Sequence, residues 1–184
     1  MHVYQEFQEQ LERKPDGSYQ TSLLWKPGHL PLNNNKSGSI SRLKNLTRKL
    51  QRQPDEFEQY DEIIQTQLSE GIIEKAPEEV KGNEFYIPHK AVFNQDSETT
   101  KMRIVYDASA KPTTESPSLN ECLETGPPLQ NLLWNVLIRN RFAPIALCGD
   151  IKKAFLQVHI KEEDRDALRF HWIKNKDPNQ IETY

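Results

Sequence analysis

The chain has 184 residues, of which 35% are hydrophobic and 28% charged, with a formal net charge of −3. That length fits one domain with at most a small companion, and the charge excludes a uniformly basic nucleic-acid binder, so any such binding must come from local patches. No apolar stretch can span a bilayer, Cys122 and Cys148 form no metal spacing, and residues 1–7 lack signal-peptide character; the expectation is a reduced, intracellular, cytoplasmic setting without a membrane partner.

Val3, Phe7 and Leu11 recur at helical spacing before the turn-forming Pro15-Asp16-Gly17. Tyr19 to Trp25 reads as a short strand. After Asn33-Asn34-Asn35, a helix carries Ile40, Leu43, Leu46 and Leu50 on one face. Its other face carries Arg42, Lys44, Arg48, Lys49 and Arg52 without an acid. Pro54 ends this helix, and a second runs over Asp55 to Glu70, with Phe57, Tyr60, Ile64 and Leu68 in period and Gly71 at its C′ position. The second helix is as acidic as the first is basic. The basic face, with Arg42, Lys44, Arg48 and Lys49, is a candidate for tracking a phosphate backbone; the bland alternative is a solvated face paired with the acidic helix.

From Ile72-Ile73 onward the pattern turns to strands. Phe85 to Ile87 and Ala91 to Phe93 flank Pro88, which implies an edge or a break. Residues 94–100 form a polar tip, and Met102 to Tyr106 returns as a strand, completing a β-hairpin. Period two sets Lys101, Arg103 and Val105 on one face and Met102, Ile104 and Tyr106 on the other. Two cations at the base of a tip suit a triphosphate, although edge cations also deter aggregation. A further helix occupies Leu129 to Asn140. Lys161 to Asp166 is a charged turn, Leu168, Phe170 and Trp172 alternate as a strand, and Asn175 to Thr183 reads as a mobile loop.

Between them lies Ala146-Leu147-Cys148-Gly149-Asp150-Ile151-Lys152-Lys153-Ala154-Phe155. Ile145, Ala146 and Leu147 suit a short buried strand that delivers Asp150 rigidly at its tip. Phosphoryl transfer needs such a carboxylate to hold magnesium, because the reaction depends mainly on positioning and charge neutralisation. Asp150 could instead cap the segment that begins at Ile151.

Taken in order, these segments resemble the fingers and early palm of a reverse transcriptase. Leu68 to Ile73 looks like that family's way into the fingers, Lys101 to Asp107 resembles its arginine-bearing fingers strand, and Asp150 to Phe155 resembles its first catalytic motif. Among the groups of the family, the reverse transcriptases of Pao/BEL-type long-terminal-repeat retrotransposons look most similar. The segments that carry this are Ser18 to Lys26, Tyr86-Ile87-Pro88-His89, Thr100 to Lys111, Ser118-Leu119-Asn120 and Gly126-Pro127, which together cover nearly the whole chain.

The resemblance implies an α+β fold, with reverse-transcriptase-like fingers, a partial palm and N-terminal helices. Its regions would be 1–53 (lead-in and basic helix), 54–144 (fingers-like) and 145–184 (start of the palm). It implies RNA-directed DNA polymerase chemistry on deoxynucleoside triphosphates and an RNA or DNA template-primer, with magnesium as cofactor and the remainder of a polyprotein as partner. Asp150 would be the catalytic carboxylate and a magnesium ligand, with the Ile151 carbonyl beside it. Phe155 would lie beneath the nucleotide sugar, and Arg103 would grip the β- and γ-phosphates with Lys101 close by.

The chain departs from the family at the tip, where Phe93-Asn94-Gln95-Asp96 stands in place of a lysine; Lys90 or Lys101 could substitute. It also holds no Asp-Asp pair, whereas the family supplies further carboxylates from a Tyr-x-Asp-Asp hairpin. One aspartate cannot position two metals, so no polymerase activity is expected of this polypeptide alone. Phe170 and Trp172 would then lack cover. The competing expectations are a non-catalytic nucleic-acid-binding remnant and an interaction module built on the acidic helix.

Overall fold

The computed structural model describes residues 2–93, 102–151 and 153–184. In chain order it contains α1 (His2–Gln10), β1 (Glu12–Arg13), β2 (Tyr19–Thr21), α2 (Lys36–Leu50), α3 (Pro54–Ser69), β3 (His89–Phe93) and β4 (Met102–Tyr106). There follow α4 (Leu119–Cys122), α5 (Leu133–Asn140), β5 (Val158–Ile160), α6 (Glu162–Arg165), β6 (His171–Ile173) and β7 (Ile181–Thr183). The architecture is α+β. Two compact units are interleaved along the chain: one comprises Met1–Thr21 and Thr125–His159, the other Ser22–Glu124 and Ile160–Tyr184.

The larger unit is built around α2 and α3. Pro54 opens α3 at a position where its missing N–H costs nothing, and Asp55 and Glu56 in the first turn complement the positive end of the helix dipole. Gly71 takes a φ of +69° and closes α3 with a Schellman motif: Ile72 N–H donates to Gln67 C=O at 2.9 Å and Gly71 N–H to Leu68 C=O at 3.2 Å. These caps consume the backbone groups of Ile72, so the expected strand at Ile72-Ile73 is a turn instead.

Leu43 and Leu50 of α2, Tyr60 and Ile64 of α3, Met102 of β4, and Phe170, Trp172, Ile173 and Tyr184 form the main core. A second cluster gathers Phe85, Ile87, Leu119 and Ala167, with Trp25, Leu23 and Leu123 against it. The two cysteines are free, Cys122 buried in this unit and Cys148 exposed in the other.

Three expectations for the C-terminal part are corrected. Asn175 to Thr183 is not all loop, because Ile181–Thr183 forms β7 and pairs antiparallel with β6, Ile173 opposite Ile181 and His171 opposite Thr183. Phe170 and Tyr184 extend the ladder by exchanging N–H···O=C bonds at 2.9 Å. Phe170 and Trp172 are consequently covered: Tyr184 stacks on Phe170, and Tyr60 stacks on Trp172 at 4.7 Å between ring centroids. Trp172 is 0% exposed, and its indole N–H donates to Asp61 Oδ1 at 2.8 Å. Finally, Lys161 to Asp166 is a helical turn, α6, rather than an open charged turn.

The smaller unit holds α1, α5 and a three-stranded sheet in the order β1-β2-β5. β1 and β2 form a tight hairpin with Glu12 opposite Gln20 and Arg13 opposite Tyr19, across the Pro15-Asp16-Gly17 turn. The strand expected over Tyr19 to Trp25 ends at Thr21, and Trp25 makes only an isolated bridge to Leu123 within the larger unit. α5 begins at Leu133 rather than Leu129. The buried strand expected at Ile145 to Leu147 is absent: these residues are exposed, Leu147 to 93%, and belong to no sheet. A short apolar strand needs a hydrogen-bonded neighbour, and the unit's one sheet among the described residues offers this segment none.

Candidate functional site

The hairpin β3–β4 carries the first group of expected site residues. Its register sets His89 opposite Tyr106, Lys90 opposite Val105, Ala91 opposite Ile104, Val92 opposite Arg103 and Phe93 opposite Met102. Met102 is buried in the main core, with Ala91, Ile104 and Tyr106 packed against it. Lys90, Val92, Arg103 and Val105 occupy the exposed outer face, as period two requires. Lys90 and Arg103 stand diagonally across the ladder, within reach of one shared anionic group. Neither makes an ion pair among the described residues. Lys101 and the tip at 94–100 lie outside the described residues.

Beneath this hairpin is a buried polar chain that the sequence reading did not single out. His89 Nε2 lies 2.8 Å from the carbonyl of His171, which can only accept, so Nε2 carries the proton. Nδ1 is thereby left as an acceptor for the Tyr60 hydroxyl. His171 in turn presents Nδ1 to Ser39 Oγ at 3.0 Å, stacks on Tyr86, and leaves Nε2 without a partner among the described residues. Burial lowers His89 to about 4; burial and then the charge of Lys36 lower His171 to about 4. Burial also raises the Tyr60 and Tyr106 hydroxyls. Burial keeps these histidines neutral, which suits support for the hairpin rather than acid–base work at its surface.

Two acids fix the segments behind it. Asp164 accepts the Leu23 N–H and the Trp25 indole N–H, both at 2.8 Å. Asp166 and Arg169 form a buried ion pair at 2.6 Å; Asp166 also accepts the Lys81 N–H, while Arg169 donates to Pro77 C=O. Such a pair is satisfied on both sides and locks the 77–82 segment. Their sequence signal, three charges in Asp164-Arg165-Asp166, is indistinguishable from an ordinary solvated turn.

α2 carries the expected nucleic-acid residues. Arg42 bonds Asp107 just beyond β4 at 2.5 Å. Lys44, Arg48 and Lys49 are exposed and pair with no acid among the described residues, so the anticipated pairing with acidic α3 is not seen. The acid of α3 that does find a cation, Glu58, pairs with Lys176.

Asp150, Ile151 and Phe155 belong to the smaller unit, whereas Arg103 and α2 belong to the larger. Asp150 is exposed on irregular chain, so it is not held at the tip of a buried strand. It caps no helix of four or more residues, and the next helical turn begins at Ala154 after Lys153 at a φ of +52°. Phe155 is 97% exposed, as expected neither of a core aromatic nor of a side chain packed into a finished pocket. No cluster of three or more His, Cys, Asp or Glu side chains capable of holding a metal occurs among the described residues. Asp150 and the Ile151 carbonyl alone do not fit a resident two-metal centre, which needs several carboxylates. No helix among the described residues is long and apolar enough to cross a membrane. No family model, curated protein or solved structure matches the chain.

Proposed function

We propose that this chain is the N-terminal portion of an RNA-directed DNA polymerase of the Pao/BEL retrotransposon type, carrying its fingers and the start of its palm. The observation that carries the reading is the ordered series of motifs from Tyr86 to Phe155 that resembles that family. What supports it physically is the hairpin β3–β4, which presents Arg103 and Lys90 outward from a rigid, aromatic-backed face. In this reading Arg103, with Lys101, receives the β- and γ-phosphates of a deoxynucleoside triphosphate. Within the smaller unit, Asp150 and the Ile151 carbonyl would each offer an oxygen to magnesium in the complete enzyme, and Phe155 would offer its ring to a sugar. Magnesium would neutralise charge developing on the transferred phosphoryl group. A two-metal centre needs carboxylates beside Asp150, so turnover is not expected from Asp150 alone.

The test is primer extension on an RNA template with magnesium, using this chain in frame with the genomic sequence that follows codon 184. The extended polypeptide should incorporate nucleotides, and Asp150→Asn should slow it by about a thousandfold, since a bound metal contributes several kcal/mol. Full activity of Asp150→Asn, or robust extension by the 184-residue chain alone, would overturn the reading.

A further inference from the structure

We infer that the outer face of α2 is a docking surface for the sugar-phosphate backbone of nucleic acid, read without regard to base sequence. This goes beyond the polymerase chemistry, which uses none of these residues, and it stands whether or not that chemistry is established.

Residues 36–52 contain six cations and no acid. Two of the six are occupied: Lys36 lies over the Tyr86 ring at 5.3 Å, and Arg42 is held by Asp107. The remaining four, Lys44, Arg48, Lys49 and Arg52, are all exposed, and their side chains make no hydrogen bond or ion pair among the described residues. At 100° per residue Lys44, Arg48 and Lys49 fall within an arc of about 140°, the step from Lys44 to Arg48 climbs about 6 Å, and Arg52 follows in the turn just past the end of α2. The buried side chains Ser39, Leu43, Thr47 and Leu50 take the opposite arc, so packing against the core fixes which way the cations face.

What surrounds the cations identifies the partner. The other exposed side chains here are Ser37, Ser41, Asn45 and Gln51, and no large apolar side chain of α2 is exposed. A helix that lies on a lipid surface needs an apolar face to bury, and a protein interface needs aromatic or aliphatic anchors. α2 offers neither outward. Lysine and arginine accompanied by serine, asparagine and glutamine is the side-chain set that contacts phosphate and sugar oxygens. Arg48 and Lys49 also complement the negative C-terminal end of the helix dipole, but that effect accounts for neither Lys44 nor Arg52 beyond the helix.

The experiment is fluorescence anisotropy of the full chain with labelled 20-nucleotide single-stranded RNA, DNA of the same sequence, and the RNA–DNA hybrid. Polyglutamate and phosphatidylserine vesicles serve as competing arms. Binding should weaken linearly with the logarithm of salt and be indifferent to base sequence. Replacing Lys44, Arg48, Lys49 and Arg52 together with glutamine should weaken binding tenfold or more at low salt and flatten the slope by about 3 for single strands. Each single change, such as Lys44→Gln, should flatten it by about 0.7. The charge-preserving set K44R, R48K, K49R and R52K should bind as the parent does. An unchanged slope in the single glutamine variants, or polyglutamate or vesicles bound as tightly as RNA, would overturn the inference.

Discussion

Gly71 occupies a backbone conformation that L side chains enter only with strain, although nothing lies within 4 Å of where its Cβ would stand. Space is therefore not at issue, only the left-handed φ. Gly71→Ala should destabilise the chain by about 1 kcal/mol in urea denaturation, through loss of the α3 cap. An unchanged midpoint would mean that Ile72 and Gly71 do not close the helix as described. Arg169 poses a different problem. Its side chain is 5% exposed and its partner Asp166 is equally enclosed, so Arg169→Leu would leave a buried carboxylate with only backbone N–H donors. The loss should reach about 3–5 kcal/mol, read as a fall in thermal midpoint. By contrast Asp107→Asn, at the exposed Arg42 pair, should change stability by less than about 1 kcal/mol.

At the scale of elements, the parts legible in the sequence are those governed by local rules. The break between α2 and α3 is fixed by Pro54, the end of α3 by Gly71, and the two faces of β4 by alternation from Met102 to Tyr106. What local rules cannot reveal is which element covers another. β7 was illegible because Ile181–Thr183 is short and set among polar residues, and only its pairing with β6 makes it a strand. The burial of Trp172 depends on Tyr60, 112 positions earlier, and on Asp61. The segment from Ile145 to Leu147 departs from expectation for the same reason: an apolar triplet implies burial, but burial also requires a partner strand.

The hydrogen-bonded histidines tie α2, α3, β3 and β6 together, so their protonation is an element-scale event. Both are neutral in the fold and take up protons near 6.5 when the chain unfolds. The unfolded state therefore binds more protons between pH 6.5 and 4. Stability is fully present above about 6.5 and declines as pH falls toward 4. Urea midpoints measured at pH 7.5, 6.5 and 5 should fall by an amount equivalent to about 4 kcal/mol, and His171→Asn should flatten the profile. A midpoint that holds constant across this range would show that the histidines are not buried in neutral form.

For the whole molecule, the two units differ in how well their apolar residues are covered. The larger encloses Trp172, Tyr60 and Phe85 almost completely, whereas the smaller leaves Leu132, Leu133, Trp134, Phe142 and Leu147 mostly exposed. A contiguous apolar surface beyond a few hundred Å² is uncommon on a free monomer and favours association. The three tryptophans report on this difference, because Trp172 is enclosed, Trp25 is half-buried with its N–H bonded to Asp164, and Trp134 is 70% exposed on α5. Acrylamide should quench a red-shifted fraction of the emission that disappears in Trp134→Phe, leaving a blue-shifted remainder that resists quenching. Sedimentation velocity should show concentration-dependent self-association that Leu133→Glu reduces, since a charge among exposed apolar side chains must be desolvated on contact. If Trp134→Phe left the accessible fraction intact, α5 would have to be covered in solution, and the smaller unit would bury its apolar residues as the larger one does.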